Sequence, residues 1–485
     1  LNMSVKYHII TLGCQMNLSD TERVRSVLDH MGYVWTEREE DAGLLGILAC
    51  SVRQKAIDKV YTRIHKWNKW KNRKNLLTFV SGCMLPVDKE KFLKLFDLVF
   101  TMNELPELPY MIRQYGVVTP AGLQKTDTAI QYKPSPDQTP TLIDLLKKHD
   151  PPTEEEIDAI QKERGVMDRF WDIAPSYTSS IEAFVPIQNG CDKFCTFCAV
   201  PYTRGREVSR PSGEILAEIK YLIDNGYRSI TLLGQNVNSY GLDRKGKEMD
   251  FARLLEAIGG MGQESGREFW VYFTSPHPRD MGEEVIRTIA AYPHLANQIH
   301  LPLQSGSDQV LVRMNRKHTV QRYRHIVEQI RKHLPEATLF TDIIVGFTGE
   351  TSEQFEETRK ACAEFKYNMA YIAMYSPRPG AVSSRWDDDI PAAEKKERLH
   401  ILNEDVARTA LEWNKKMLEG HTVKVLVTGR DRKGYLSGHT EGKIVVRLLE
   451  GKESWIGRFI DVEITSVTPF SVAGSVADVR QRVPS

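Results

Sequence analysis

Cys191-Asp-Lys-Phe-Cys195-Thr-Phe-Cys198 puts three thiols on one short stretch of chain at a CxxxCxxC spacing. Three thiolates held this close can each ligate one iron of a cubane 4Fe–4S cluster and leave the fourth iron open to a cofactor or substrate. A structural zinc site asks for a fourth protein ligand, and the nearest histidines lie far away in sequence. With seven cysteines among 485 residues, this spacing is a rare coincidence for three unconnected core thiols.

Composition narrows what carries that stretch. A chain of 485 residues exceeds one compact core, so two to four domains are expected. Basic and acidic residues nearly cancel, 65 against 64, which excludes a protein basic throughout but not local basic patches. No apolar run approaches the roughly 18 residues of a membrane span, and no charged-then-apolar leader is present. An odd number of cysteines in a long chain argues against a secreted disulfide framework. The expectation is a cytoplasmic protein without membrane contact, most simply a monomer.

Strand and helix signals alternate. Tyr7 to Leu12, Leu44 to Ala49 and Leu76 to Ser81 read as buried strands, with a helix after the first capped by Ser19 or Asp20. An N-terminal parallel α/β domain is predicted over 1–122. Prolines at 134, 136, 140, 151 and 152, and a polar helix opening at Glu154-Glu155-Glu156, mark 123–180 as an insertion or linker. From 181 to 417 six strand signals alternate with helices: Ala183–Ile187, Ser229–Leu233, Phe269–Phe273, Gln298–Leu303, Thr338–Val345 and Met369–Met374. That pattern predicts a (βα)6 partial barrel with its site at the strands' C-terminal ends. Alternation with glycine turns over 418–485 predicts a small five-stranded β-barrel of the oligonucleotide-binding kind.

Four further cysteines remain. Cys14, Cys50 and Cys83 each follow a predicted strand directly, the edge where open parallel sheets bind ligands. Their separations match no local ligand motif, and a free cysteine is as often a core residue; from the residues alone both readings stand. Cys362 shares a helical face with Phe355 and Phe365 and reads as a core thiol. Lys59 to Lys74 holds seven basic residues, no acidic ones, and Tyr61, Trp67 and Trp70. The run suits RNA phosphates and base stacking and equally suits a solvated helix face.

Several stretches carry a resemblance. They are Thr11-Leu-Gly-Cys-Gln-Met-Asn17, Ala49-Cys-Ser-Val-Arg53, Val80-Ser-Gly-Cys83, the cluster loop, Val200-Pro-Tyr-Thr-Arg-Gly-Arg-Glu-Val-Ser-Arg-Pro211, Leu233-Gly-Gln-Asn-Val-Asn238, Thr274-Ser-Pro-His-Pro278, His300-Leu-Pro-Leu-Gln-Ser-Gly-Ser307 and Thr341 to Thr351. Together they resemble the methylthiotransferases of the radical S-adenosylmethionine superfamily, and most closely the branch that makes 2-methylthio-N6-dimethylallyladenosine in tRNA. The resemblance implies a radical cluster on Cys191, Cys195 and Cys198 that cleaves S-adenosylmethionine to a 5′-deoxyadenosyl radical. It implies a second 4Fe–4S cluster on Cys14, Cys50 and Cys83 that carries the sulfur to be inserted, and a C-terminal TRAM domain.

Cofactor contacts are expected at Gly234, Gln235 and Asn236, where the superfamily's loop usually carries a glutamate, and at Ser275, Gln304 and Asp342, all taken as lying at strand ends. Gly346 to Glu350 would back the adenine, with Thr348 standing where the family usually has proline. Arg204, Arg206, Arg210 and Arg378 are expected to hold substrate RNA. The implied partners are the tRNA anticodon loop, an external electron donor and a sulfur source. Alternative substrates within the same chemistry are threonylcarbamoyladenosine in tRNA and an aspartate of a ribosomal protein. A non-catalytic iron–sulfur RNA-binding regulator is the alternative of a different class.

Overall fold

The computed structural model describes residues 5–52, 54–115 and 170–477. The prolines and the acidic helix predicted between 123 and 169, and Arg53, lie outside the described residues. Two compact units emerge, and they divide the chain differently from the expected domains. The first joins the N-terminal region through Thr178 to the cluster loop, Gln188–Arg210, and to Arg378–Ser384. The second joins Ser179–Ile187, Pro211–Pro377 and Arg385 onward.

The first unit is built on a parallel sheet of order β2-β1-β3-β4-β5. Its strands are β1 (Lys6–Thr11), β2 (Val34–Trp35), β3 (Leu44–Cys50), β4 (Leu77–Cys83) and β5 (Leu98–Val99). Every residue of β3 and β4 is buried, as expected of strands covered on both faces. In β3 the two-residue period sorts the side chains. Leu44 and Leu48 enter one core with Phe79 and Leu28, while Leu45, Ile47 and Ala49 enter the other with Val60 and Trp67. Gly46 is small because the Phe79 ring occupies the space of its missing Cβ, 2.0 Å away.

Helix α1 (Gln15–His30) starts earlier than predicted. Its N-cap is Cys14, and Ser19 and Asp20 are buried inside the helix instead of capping it. The physical reason is Asn17. Its Oδ1 accepts from the Cys14 backbone N–H at 3.4 Å, closing the first turn around the Cys-Gln-Met-Asn run. Helix α2 (Gln54–Lys71) buries Ile57, Val60, Ile64 and Trp67 at helical spacing, each contributing about 1.5–3 kcal/mol. Trp67 is thus core, with its indole N–H donated to Glu39 at 3.0 Å. Arg63 and Lys66 pair with the same Glu39, Lys71 with Asp97, and Lys74 donates to the Glu40 and Ala42 carbonyls. Four of the seven basic residues in the run are therefore engaged within the fold. The unit is completed by α3 (Pro86–Phe92), α4 (Leu108–Gln114) and α5 (Val200–Arg204).

In the second unit, β6 (Glu182–Pro186), β9 (Ser229–Leu233) and β10 (Trp270–Phe273) pair in parallel, as do β11 (Gln298–His300), β12 (Thr338–Val345) and β13 (Met369–Met374). A bridge from Val271 to Leu295 joins the two triplets, so six strands follow in chain order. Helices α6 (Ser212–Asp224), α7 (Phe251–Ser265), α8 (Glu283–Ala291), α9 (Asp308–Arg313), α10 (Val320–His333) and α11 (Ser352–Phe365) lie between them. This is the predicted partial barrel. Cys362 is buried in α11 with Phe355 and Phe365. Burial pushes its thiol up to about 12.

After α12 (Ala392–Met417) come β14 (Thr422–Arg430), β15 (Leu436–Thr440), β16 (Val445–Leu448), β17 (Phe459–Val467) and β18 (Ser471–Val476), closed as a barrel in the order β14-β15-β16-β18-β17. This barrel docks against the first residues of the parallel strands. Lys443 Nζ lies 3.6 Å from Glu182, which opens β6. Thr338, which opens β12, donates to the Gly442 carbonyl at 2.7 Å. Trp270, which opens β10, meets the Phe459 ring edge-on at 4.7 Å. Within this unit the small barrel therefore lies at the end opposite the strands' C-termini.

Candidate iron–sulfur centre

The cluster loop is closed at its base by a two-stranded antiparallel ribbon, β7 (Gln188–Asn189) and β8 (Val208–Ser209), with Gln188 opposite Ser209 and Asn189 opposite Val208. Gly190 follows at φ +81°, and a Cβ there would sit 1.9 Å from the Arg206 carbonyl oxygen. The Cys191 backbone N–H donates to the Gly205 carbonyl at 3.2 Å. Phe194, between the first two cysteines, has φ +47°, uncommon for a bulky residue. Its ring lies 5.5 Å from the Arg206 guanidinium, which also pairs with Asp192 at 3.3 Å. Cys191 and Cys195 are buried and Cys198 partly so. Burial pushes the Cys191 thiol up to about 12, and Cys198, Glu207 and Cys195 add to this.

The second triplet lies in the same unit. Cys50 and Cys83 end neighbouring parallel strands and are register partners. Cys14 opens the helix that follows β1. Asn17 ties these pieces together, because its Nδ2 donates to the Ala49 carbonyl at 3.0 Å while its Oδ1 serves Cys14. Burial pushes the Cys83 thiol up to about 12 against the lowering effect of Arg204, and Cys50 and Cys14 raise it further.

Among the described residues no three His, Cys, Asp or Glu side chains are drawn tightly enough for a single metal ion. The two donor sets, three soft sulfurs each on rigid strand ends or a ribbon-closed loop, suit iron in thiolate-ligated clusters.

Of the arginines expected to hold RNA, Arg204 and Arg210 are buried and Arg206 and Arg378 half-buried. Arg204 is buried and pairs with Asp20 at 2.5 Å; its Nε donates to Cys83 Sγ at 2.9 Å. A guanidinium so engaged is not presented to a phosphate. Arg210 is buried over the Trp171 ring, and Arg206 is tied to the cluster loop as described. Arg378 donates to Gln54 on α2 at 3.1 Å, within the field of Cys50. Asn189 carries no signal in the sequence, Asp20 reads there only as a helix cap, and Asn17 only as part of a motif run. The available signal was spacing: Asn17 and Asp20 follow Cys14 by one and two helical turns.

In the second unit Gly234, Gln235 and Asn236 directly follow β9. Asn236 is buried and donates to Ser239 at 2.8 Å and Asp280 at 3.2 Å. Ser275 and Gln304 lie just past β10 and β11 with φ of +58° and +74°, a conformation that costs non-glycine residues about 1–3 kcal/mol and clusters at functional sites. Asp342 differs from expectation, standing inside β12 and not at its end; its carboxylate lies 2.8 Å from His300 Nε2. Gln304 bridges to the same strand, its N–H donating to the Asp342 carbonyl at 2.9 Å. The Gly346–Glu350 turn is held by Glu350, which accepts from Gly346 N–H at 2.6 Å and from Arg398 at 2.7 Å.

Residues 185–362 match the radical SAM superfamily, residues 6–102 the uncharacterized protein family UPF0004, and residues 416–477 the TRAM domain. The chain is 37% identical over 485 residues to proteins from Salmonella arizonae and Escherichia coli, with 98% of this chain and 93% of each relative covered; both are named tRNA-2-methylthio-N(6)-dimethylallyladenosine synthase. The chain belongs to that family. Among solved structures it is similar to the radical S-adenosylmethionine methyltransferase TsrM from Kitasatospora setae, with a TM-score of 0.50, 13% identity, and 77% of this chain and 72% of that one covered. It is also similar to the cobalamin-dependent S-adenosylmethionine radical enzyme OxsB, with a TM-score of 0.50, 12% identity, 82% of this chain covered and 56% of that one. These two likenesses concern the fold alone. The chain is a radical S-adenosylmethionine enzyme, and membership implies one 4Fe–4S cluster and S-adenosylmethionine. Among the described residues no helix is long and apolar enough to cross a membrane.

Proposed function

We propose that this chain converts N6-(dimethylallyl)adenosine at position 37, beside the tRNA anticodon, to its 2-methylthio derivative. The observation that carries the reading is the presence of two cysteine triplets in one compact unit, since sulfur insertion needs a sulfur source beside the radical source. In this reading Cys191, Cys195 and Cys198 hold one cluster and Cys14, Cys50 and Cys83 a second. When bound, the groups supply a 5′-deoxyadenosyl radical that takes hydrogen from C2 of the adenine, and the sulfur and methyl that replace it.

The protein's own residues position and enclose. The β7–β8 ribbon and Gly190 fix the first triplet's loop; the buried β3 and β4 ends shield Cys50 and Cys83 of the second, while Cys14 is exposed. Gly234, Gln235, Asn236, Ser275, Gln304 and Asp342 are the candidate contacts for S-adenosylmethionine, with Asp342 oriented by His300. Chemistry on a base requires it out of the stack and inside a pocket, and an anticodon loop offers such a base without breaking a duplex. The TRAM barrel supports an RNA partner. An external electron donor and a source of replacement sulfur are required, and a tRNA substrate favours a cytoplasmic location.

Reconstituted protein incubated with S-adenosylmethionine, a reductant and tRNA carrying dimethylallyladenosine should release 5′-deoxyadenosine, and mass spectrometry of the nucleosides should show the methylthio product. Release of 5′-deoxyadenosine without a methylthio nucleoside would move the substrate to another RNA base or to protein. No release at all would leave an iron–sulfur RNA-binding protein.

A further inference from the structure

Arg204 joins the two cysteine triplets. It lies six residues beyond Cys198, at the end of the short helix α5 that follows the cluster loop. Its side chain turns to the other triplet, where Nε donates to Cys83 Sγ at 2.9 Å. Asp20, one helical turn beyond Asn17 on α1, holds the far side of the guanidinium through Nη2 at 2.5 Å and Nη1 at 3.4 Å. Asn189, on the ribbon that closes the first loop, donates from Nδ2 to the Arg204 carbonyl at 3.1 Å, and its Oδ1 lies 3.4 Å from Nη1. Both charged side chains are nearly inaccessible, at 4% and 1% exposure.

A buried arginine is expensive unless its donors are matched, and here they are matched to one carboxylate, one amide and one sulfur. The arrangement parallels the carboxylates that orient metal-bound histidines, in which an outer partner fixes the ligand and tunes its basicity. Hydrogen bonds to ligand sulfurs are also among the determinants of cluster reduction potential.

We infer that Arg204 and Asp20 form a positioning pair that fixes Cys83 against the CxxxCxxC loop and sets the reduction potential of the group held by Cys14, Cys50 and Cys83. The inference rests on the reading that these three cysteines hold a second cluster. The Arg204 hydrogen bond withdraws electron density from the Cys83 sulfur and favours the reduced, more negative state. Asp20 opposes that charge while holding its orientation. The two residues therefore act on the potential with opposite sign.

The test uses the full-length chain with Cys191, Cys195 and Cys198 all changed to Ala, so that iron at the second site is observed alone. Its midpoint potential is followed by spectroscopically monitored redox titration in four backgrounds: otherwise unchanged, Arg204→Met, Arg204→Lys and Asp20→Asn. Arg204→Met should lower the potential, Asp20→Asn should raise it, and Arg204→Lys should recover part of the loss. Equal potentials in the parent, Arg204→Met and Asp20→Asn backgrounds, or shifts of the same sign in the latter two, overturn the inference, because a merely structural bridge loosens either way. Should Arg204→Met fail to retain iron, the direction of the Asp20→Asn shift decides alone. Absence of iron from the parent triple variant would instead overturn the second-cluster reading itself.

Discussion

Cys50 stands directly across from Cys83, each the last residue of its strand in adjacent parallel strands. Register partners in a parallel pair project to the same side, and neighbouring strands lie about 4.8 Å apart, so the sheet alone brings these two sulfurs together. Cys14 is added by the turn from β1 into α1, which Asn17 anchors on the carbonyl of Ala49.

Replacing either strand-end cysteine by alanine should therefore remove about half of the bound iron and acid-labile sulfide, as expected for one of two 4Fe–4S clusters. 5′-Deoxyadenosine release should persist while the methylthio product is lost. Iron analysis alongside nucleoside mass spectrometry checks both halves, and undiminished iron would count against the assignment.

Gly82 has φ +103°, and a Cβ there would lie 2.5 Å from the Ala49 carbonyl oxygen. That oxygen also accepts the Asn17 bond. Gly82→Ala combines a left-handed penalty of about 1–2 kcal/mol with a shove against the anchor of the Cys14 turn. The expected result is a lower denaturation midpoint together with weakened iron retention at the second triplet; a variant of unchanged midpoint would refute it.

Glu350 and Arg398 form an ion pair with side-chain exposures of 1% and 6%. Burial raises the Glu350 pKa, against the lowering effects of the Gly346 backbone N–H and of Arg398. Arg398→Met leaves a buried carboxylate without its cation, a change costing about 3–5 kcal/mol. Chemical denaturation should register that loss, and the double change Glu350→Gln with Arg398→Met should restore part of it.

Acid should loosen the contact between the TRAM barrel and the strands above it. The His439 ring beside Glu182, with help from Lys443 and against the effect of burial, holds its carboxyl down from 4.5 to about 2. A carboxylate whose pKa is lower in the folded state contributes stability above its unfolded pKa and loses it as pH falls toward the folded value. Stability should thus decline between pH 4.5 and about 2, a limb that Glu182→Gln should flatten in acid titrations followed by circular dichroism. Lys443 acts with the same sign in a more alkaline window. Burial brings its pKa from 10.5 to about 8, so its contribution rises with pH between those values.

Sequence was most legible where chemistry is local. The CxxxCxxC spacing, the six barrel strands and the Cys362 core thiol all follow from short-range pattern. Periodicity could not place the start of α1, because a cysteine rarely caps a helix and Asn17, which closes the turn, reads in sequence as an ordinary polar residue. Nor could it tell that Trp67 is buried or that Arg63 and Lys66 are spent on Glu39, since that carboxylate arrives from a different part of the chain.

The sequence by itself determined which atoms are available: three thiols on one loop, three at strand ends, and motif runs that name the radical family. Only the tertiary structure decided which of those groups meet. Arg204 looks in sequence like a surface grip for RNA, beside a cluster loop and in a basic stretch. In the fold it is buried, 184 residues from Asp20 and 121 from Cys83 along the chain, with both within hydrogen-bond reach. A charge can leave water only where partners are already fixed to receive it, and long-range packing, not local spacing, puts those partners in place.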